Sequence, residues 1–158
     1  MNIKSLLAAT FAVASMSMLS MAQTRTIEHE YSEFDAISVS DGFKVSFVES
    51  DGYSAKFKVN DAFESYVQCY VKAGTLYIGV DDKSIPKEVK KSFKGKNSDD
   101  PVLEATVYVP SLKAVTLSDN CTFSCDKDIN APKFTLELSG TSSVSNLNIH
   151  VAESAVIT

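Results

Sequence analysis

Hydrophobic and polar residues alternate with a period of two over most of the chain after Gln23. This alternation places apolar side chains on one face of a β-strand and polar side chains on the other. Glycine and proline interrupt the alternating runs at intervals typical of an all-β domain. The clearest runs are 43–47, 55–59 and 105–109. The pattern therefore predicts an all-β fold with half-buried strands.

The segment 66–80 predicts a β-hairpin whose turn is Ala73-Gly74. Its register follows from hydrophobic parity, because Val71 and Leu76 must both face the buried side. A slip of one residue would bury a tyrosine and expose a valine. We therefore expect a single register for this hairpin.

Tyrosines occupy outward positions of the hairpin and form a candidate contact face. In the predicted register Tyr70 stands directly opposite Tyr77. Tyr66 and Tyr108 have the same outward parity on their own strands. Flat aromatic surfaces bury much area at little cost in conformational entropy, so they suit the binding of sugars or partner proteins. The more ordinary alternative is an aromatic ladder that stiffens the sheet, or one covered by strand 27–31.

One segment, 84–95, departs from the alternation and predicts a short inserted helix. Ser84 is a candidate N-cap, Pro86 suits a first turn, and Gly95 is a candidate end. Apolar residues recur within it at helical spacing, at Ile85, Val89 and Phe93.

Lysines concentrate in and around this insertion. One interpretation is a patch that grips an acidic polysaccharide or the outer membrane surface. The interpretation that the pattern favours is a solvated face, since runs of charge usually only solvate a surface. The lysines are Lys83, Lys87, Lys90, Lys91, Lys94 and Lys96.

A repeat replaces the hairpin pattern over 111–158. Segment 115–123 lies 21 residues before segment 136–144, and Ser118 matches Ser139. A period near 20 with two short strands and a Ser-Gly corner is what a β-solenoid needs, because each coil pairs its backbone with the coils on either side. The predicted inner side chains are Val115, Leu117, Leu136, Leu138 and Val144.

The first 22 residues differ in composition from the rest and predict a signal peptide over 1–22. Lys4 supplies a basic start, 6–19 is an apolar stretch, and Ser20 and Ala22 are small residues where a signal peptidase reads. The apolar stretch is too short and too polar to span a bilayer. We expect an exported protein with no transmembrane anchor, located in the periplasm, on the outer membrane surface or outside the cell.

Length and charge bound the remaining possibilities. The chain has 158 residues, which is room for one domain, 23–158. Loss of Lys4 leaves 14 basic and 20 acidic residues, a net charge of −6. That balance disfavours nucleic acid and anionic membranes as partners.

Cysteines and histidines give little support for a metal or cofactor. Export exposes Cys69, Cys121 and Cys125 to oxidising conditions, where at most one pair can form. We expect all three to be small core residues instead. His29 and His150 show no ligand spacing, so no metal site and no cofactor is predicted.

Catalytic motifs are absent from the sequence pattern. The single cluster of interest is Asp119 with Asp126, Lys127 and Asp128, which a β-helical polysaccharide lyase could use for calcium binding and proton abstraction. Carboxylates at the corners of a solenoid are more often simply solvated. We therefore predict no catalytic residues.

Three blocks in fixed order give the chain a resemblance to a known family, the auto-transporter adhesin head domain, or GIN domain, of exported Gram-negative bacterial proteins. The blocks are 34–45, 74–78 and 105–118. The likeness covers about 26–158. It implies a right-handed β-solenoid with pectate-lyase-like coils, Ser-Gly corners, no catalytic set and an adhesive role, with a trimer as the implied assembly.

The corners test this resemblance residue by residue. Ser139-Gly140 fits the family's corner, whereas Ser118-Asp119 places aspartate where glycine is usual. Aspartate tolerates left-handed backbone better than most residues, so we expect the turn to persist.

Together these observations predict N-terminal strands and a hairpin that lead into a short right-handed β-solenoid. The expected function is non-enzymatic and adhesin-like, in which a rigid sheet surface is displayed to a glycan or to a host or matrix protein. Two alternatives stay open. One is a polysaccharide lyase on the solenoid surface, and the other is an assembly module whose open solenoid end docks to itself or to a partner.

Overall fold

The fold is given by a computed structural model that describes residues 23–93 and 100–158. The predicted signal segment 1–22 lies outside the described residues, as do Lys94, Gly95 and Lys96 of the predicted insertion. The strands are β1 (Thr24–Glu30), β2 (Ala36–Val39), β3 (Lys44–Glu49), β4 (Ser54–Asn60), β5 (Val67–Lys72), β6 (Thr75–Val80), β7 (Leu103–Val109), β8 (Ala114–Leu117), β9 (Thr122–Cys125), β10 (Ile129–Leu138), β11 (Ser143–Ser145) and β12 (Ile149–Ile157).

Two six-stranded sheets contain these strands. Sheet 1 has the order β1-β4-β7-β3-β9-β11, and sheet 2 has the order β12-β10-β8-β2-β6-β5. Both sheets are mixed, since β1, β4 and β7 pair antiparallel in sheet 1 and β5 pairs antiparallel with β6 in sheet 2, while the other pairs are parallel. The predicted all-β fold is confirmed.

Side chains from both sheets form one hydrophobic core. The period of two in the sequence accounts for it: along β7 every second residue is buried, and its neighbours are partly exposed. Phenylalanines from different parts of the chain fill the centre. The fully buried ones are Phe43, Phe57, Phe123 and Phe134.

The 21-residue repeat corresponds to parallel pairing between successive strands. Val115 on β8 pairs with Leu136 on β10, and Phe123 on β9 pairs with Val144 on β11. The ladder also includes the earlier strands β2 and β3, which pair in parallel with β8 and β9. Parallel stacking is therefore not restricted to residues after Ser111. Of the predicted inner residues, Val115, Leu117 and Leu136 are buried, and Leu138 and Val144 are partly buried.

Serines mark equivalent corners along this ladder. The backbone N–H of Ser118 donates to the carbonyl of Val39 at 3.0 Å, and that of Ser139 donates to Leu117 at 2.9 Å. The next residue has a left-handed backbone at both corners, with φ of 55° at Asp119 and 67° at Gly140. Aspartate thus occupies the left-handed position at one corner, as the sequence predicts.

A short helix, α1 (Lys87–Ser92), lies within the predicted insertion. After its last turn Phe93 packs on Phe63 with ring centroids 4.9 Å apart. Lys90 forms an ion pair with Asp82 at 2.8 Å. The helix is therefore attached to the core on one side, and its lysines Lys87 and Lys91 are exposed to solvent.

All three cysteines are free thiols. Cys121 and Cys125 are buried in the core, as predicted. Cys69 is partly exposed and shares a hydrogen bond with the Tyr31 hydroxyl.

Candidate functional site

Tyr70 and Tyr77 form a stacked pair on the outward side of the β5–β6 hairpin. They face each other across the strands, and Cys69 faces Ile78 on the inward side, so the predicted register is confirmed. The two ring centroids lie 5.2 Å apart with an angle of 17° between the planes. Tyr70 is 50% exposed at the end strand of sheet 2. One ring face of Tyr70 is thus free to meet a partner.

Tyr66 and Tyr108 do not join this pair. Tyr66 lies in a 3₁₀ turn (Glu64–Tyr66) and packs partly against the core. Tyr108 lies on β7, which belongs to sheet 1, so it points outward from the opposite side of the core. The expectation that four tyrosines line one surface is wrong, because equal parity on two strands places residues on a common face only when the strands share a sheet.

A surface of mostly small side chains continues from the tyrosine pair across sheet 2. We call it the outer face of sheet 2. It has two cross-strand rows, which follow from the observed registers. One row is Tyr70, Tyr77, Ser38, Thr116 and Glu137, and the other is Lys72, Thr75, Ala36, Ala114, Thr135 and Val156.

The chemistry of this outer face suits binding rather than catalysis. Its centre consists of alanine, serine and threonine, which are all short, and the serine and threonine side chains offer hydroxyl groups. Charged residues stand only toward its ends, at Lys72 and Glu137. Such a face can contact a flat partner over a broad area, with the tyrosine pair as its large apolar element.

The acidic cluster that a lyase would need is not assembled. Asp128 is paired with His150 at 2.9 Å instead of facing other carboxylates. In the two described ranges, no three His, Cys, Asp or Glu side chains lie close enough together to hold a metal ion. Asp119 occupies the left-handed position of the corner after Ser118, next to Asn120.

A polar cavity of about 370 Å³ was missed by the sequence analysis. Glu33, Asp35, Tyr53 and Lys113 give it its chemical character. These residues belong to connections and strand starts that are far apart in the sequence, so no local spacing indicates the site. The Tyr53 hydroxyl donates to Glu33 at 3.0 Å, and this hydrogen bond raises the pKa of Tyr53. Lys113 forms an ion pair with Asp35, which raises the pKa of the lysine.

The fold defines a class of all-β protein in which two mixed sheets are built around stacked parallel strands. A family model described as "Putative auto-transporter adhesin, head GIN domain" matches residues 33–158. The chain belongs to this family, and the resemblance seen in the sequence is confirmed. An adhesin-like role follows at the level of the family.

Solved structures agree on the fold. A "putative adhesin" from Bacteroides fragilis matches with a TM-score of 0.59 and 14% identity over 86% of this chain. A "putative adhesin" from Parabacteroides distasonis matches with a TM-score of 0.61 and 17% identity over 85% of this chain. A "Putative lipid binding protein" from the same species matches with a TM-score of 0.59 and 19% identity over 87% of this chain.

These structures are longer than the present chain. It covers 62%, 56% and 58% of their respective lengths. Among curated proteins, none matches the chain. Within residues 23–93 and 100–158, no helix is both long and apolar enough to cross a membrane.

Proposed function

We propose that the protein is an exported, non-enzymatic adhesin-like module that holds its partner on the outer face of sheet 2. The observation that carries the proposal is the stacked pair of Tyr70, which is 50% exposed, and Tyr77, beside a row of small hydroxyl side chains. An exposed tyrosine offers an apolar ring and a hydroxyl group that forms hydrogen bonds, and this combination suits adhesion. Membership in the GIN domain family supports the same role.

The partner is a glycan or a host or matrix protein. The centre of the outer face is uncharged, so recognition depends on shape, stacking and hydroxyl hydrogen bonds more than on net charge. A rigid sheet loses little entropy when it binds, because its side chains and backbone are already ordered.

A binding array with glycans and matrix proteins tests this proposal. We expect wild-type protein to bind at least one member and the Tyr70→Ala/Tyr77→Ala variant to lose that binding. The matched control is Tyr108→Ala, which removes an outward tyrosine from the other sheet and should bind as wild type does. Equal binding by the double variant would remove the tyrosine pair from the proposal.

We propose further that the parallel strands form a short right-handed β-solenoid. Supporting this are the 21-residue offset shared by the pairs β8–β10 and β9–β11, as in Ala114 with Thr135 and Thr122 with Ser143, and the repeated serine corners. A solenoid accepts an additional coil because each coil contacts only its neighbours. Duplication of residues 114–134 should therefore give a folded protein with an unchanged or higher midpoint of thermal unfolding, and an unfolded product would count against the solenoid.

Self-assembly, which the family resemblance implies as a trimer, is the second candidate function. Val156 and Ile157 on β12 are 50% and 63% exposed, and β12 is an end strand of sheet 2. An end strand offers unpaired backbone groups to another strand. We expect the mass in solution to rise with concentration and Val156→Lys to abolish that rise; a strict monomer at all concentrations would exclude this candidate.

A further inference from the structure

The polar cavity around Tyr53 is separate from the tyrosine pair. Three connections form it: the one before β2, the turn of the β5–β6 hairpin at Gly74, and the one between β7 and β8. Tyr53, which directly precedes β4, also lines the cavity. Its volume of about 370 Å³ lies in the range of small-molecule sites.

Backbone hydrogen bonds hold the charged side of this cavity in place. The N–H of Asp35 donates to the carbonyl of Gly74 at 3.1 Å, and the N–H of Lys113 donates to the carbonyl of Asp35 at 2.7 Å. The same two residues are joined by their side chains in an ion pair. The carboxylate and the ammonium are therefore positioned before any ligand arrives, which lowers the entropy cost of binding.

The aromatic side is fixed in a similar way. The N–H of Tyr31 donates to the carbonyl of Tyr53 at 2.9 Å. The Tyr53 ring meets Phe34 edge to face, with centroids 5.7 Å apart. Its hydroxyl donates to Glu33, which leaves the other oxygen of that carboxylate free to accept a hydrogen bond.

We propose that this cavity binds one sugar residue of a glycan. Two carboxylates accept hydrogen bonds from sugar hydroxyls, Lys113 donates to a hydroxyl or ring oxygen, and the partly exposed Tyr53 ring packs against the apolar C–H face of the sugar.

Charge argues against the main competitors. The cavity carries two carboxylates, Glu33 and Asp35, against one ammonium on Lys113, so a phosphate or a sulfate meets net repulsion. An apolar ligand would strip water from these charged groups without replacing their hydrogen bonds. A neutral sugar, or an amino sugar with its positive charge, avoids both costs.

Saturation-transfer NMR with single sugars tests the proposal directly. The probes are glucose, galactose, mannose, N-acetylglucosamine and glucosamine, each added to the full chain. We expect at least one to receive saturation. Glu33→Gln should reduce its affinity, and Tyr53→Phe, which keeps the ring but removes the hydroxyl that orients Glu33, should weaken binding by about 2- to 10-fold.

Two matched controls test whether the loss is specific to this cavity. Glu104→Gln neutralises an exposed carboxylate on β7, and Tyr108→Phe removes a hydroxyl from the outward side of sheet 1. Both should bind the sugar as wild type does. Because Glu33 and Glu104 are exposed, both glutamine variants are expected to fold, and thermal unfolding verifies this.

Two results would overturn the inference: saturation of no sugar in the panel, or unchanged affinity in both Glu33→Gln and Tyr53→Phe. Loss of sugar binding in Tyr70→Ala/Tyr77→Ala with retention in Glu33→Gln would assign the sugar to the tyrosine pair instead. The array experiment on Tyr70→Ala/Tyr77→Ala stands independently, so failure at one site is distinguishable from failure at the other.

Discussion

Gly79 on β6 lies closer to a neighbouring turn than a side chain allows. A Cβ atom there would stand 2.6 Å from the Ser40 hydroxyl and 2.8 Å from the Asp41 carboxylate. That carboxylate accepts hydrogen bonds from the Ser40 hydroxyl and from the N–H of Val80 at 2.9 Å. We expect Gly79→Ala to displace the carboxylate and to lower the free energy of unfolding by about 1–3 kcal/mol, measured by urea denaturation.

The control for this substitution is Gly52→Ala. A Cβ at Gly52 meets nothing within 4 Å, so the change should stay within about 0.5 kcal/mol. An equal loss of stability at the two positions would contradict a specific role for the contact with Asp41.

Cys69 gives a prediction about alkaline pH. Burial raises the pKa of its thiol from 9.0 to about 11, and the hydrogen bond with Tyr31 opposes that shift. In the unfolded chain the thiol ionises near its usual pKa of 9.0. Between that pH and about pH 11 the folded state therefore keeps a proton that the unfolded chain has lost. The contribution of this thiol to the free energy of unfolding is complete below about pH 9 and is lost as the pH rises to about 11.

The measurement is the rate of alkylation by iodoacetamide, followed at Cys69 by mass spectrometry. At pH 8 the rate should be far below that of an unfolded control, since the thiolate is the nucleophile. Tyr31→Phe removes the hydrogen bond that lowers the pKa, so alkylation at a fixed pH should become slower still. Faster alkylation in the variant would show that exposure, and not ionisation, limits the reaction.

At the residue scale, local parity accounts for what the sequence could predict. It gave the register that places Tyr70 opposite Tyr77, because both residues belong to one hairpin. It did not place Tyr108, because the strand order that separates sheet 1 from sheet 2 is a long-range property. The cavity at Tyr53 escaped for the same reason.

At the scale of elements, the serine corners connect one strand layer to the next. The Ser139 hydroxyl donates to the carbonyl of Leu117 at 3.2 Å, in addition to its backbone hydrogen bond. We expect Ser139→Ala to lower the free energy of unfolding by about 0.5–1.5 kcal/mol. Ser32→Ala, at an exposed serine before β2, is the control and should change little. Equal losses in both variants would contradict a specific role for the corner.

The corners also explain which elements the sequence could predict. Repeated Ser with a following residue that tolerates left-handed backbone is a local signal, so the corners at Ser118 and Ser139 were predictable. A third corner, Ser40 followed by Asp41 with φ of 63°, belongs to the same ladder but lies far upstream. The antiparallel segments between them interrupt the period, so the 21-residue repeat alone could not link it to the others.

At the scale of the whole molecule, the strands differ in how completely they are covered. The central strands β8 and β9 have neighbours on both sides, whereas β12 ends sheet 2 and is largely exposed. Opening of β12 therefore disrupts few buried contacts, while opening of the centre requires the core to separate. Backbone amides of β8 should exchange with solvent far more slowly than those of β12.

The same gradient sets the cost of removing a side chain. Phe123 on β9 is fully buried between the sheets, and Phe123→Ala should lower the free energy of unfolding by about 3–5 kcal/mol. Ile157 on β12 is 63% exposed, and Ile157→Ala should change it by less than about 0.5 kcal/mol. Urea denaturation measures both. If Ile157→Ala proved as costly as Phe123→Ala, Ile157 would be buried in solution, and the decrease in coverage from the central strands to β12 would be contradicted.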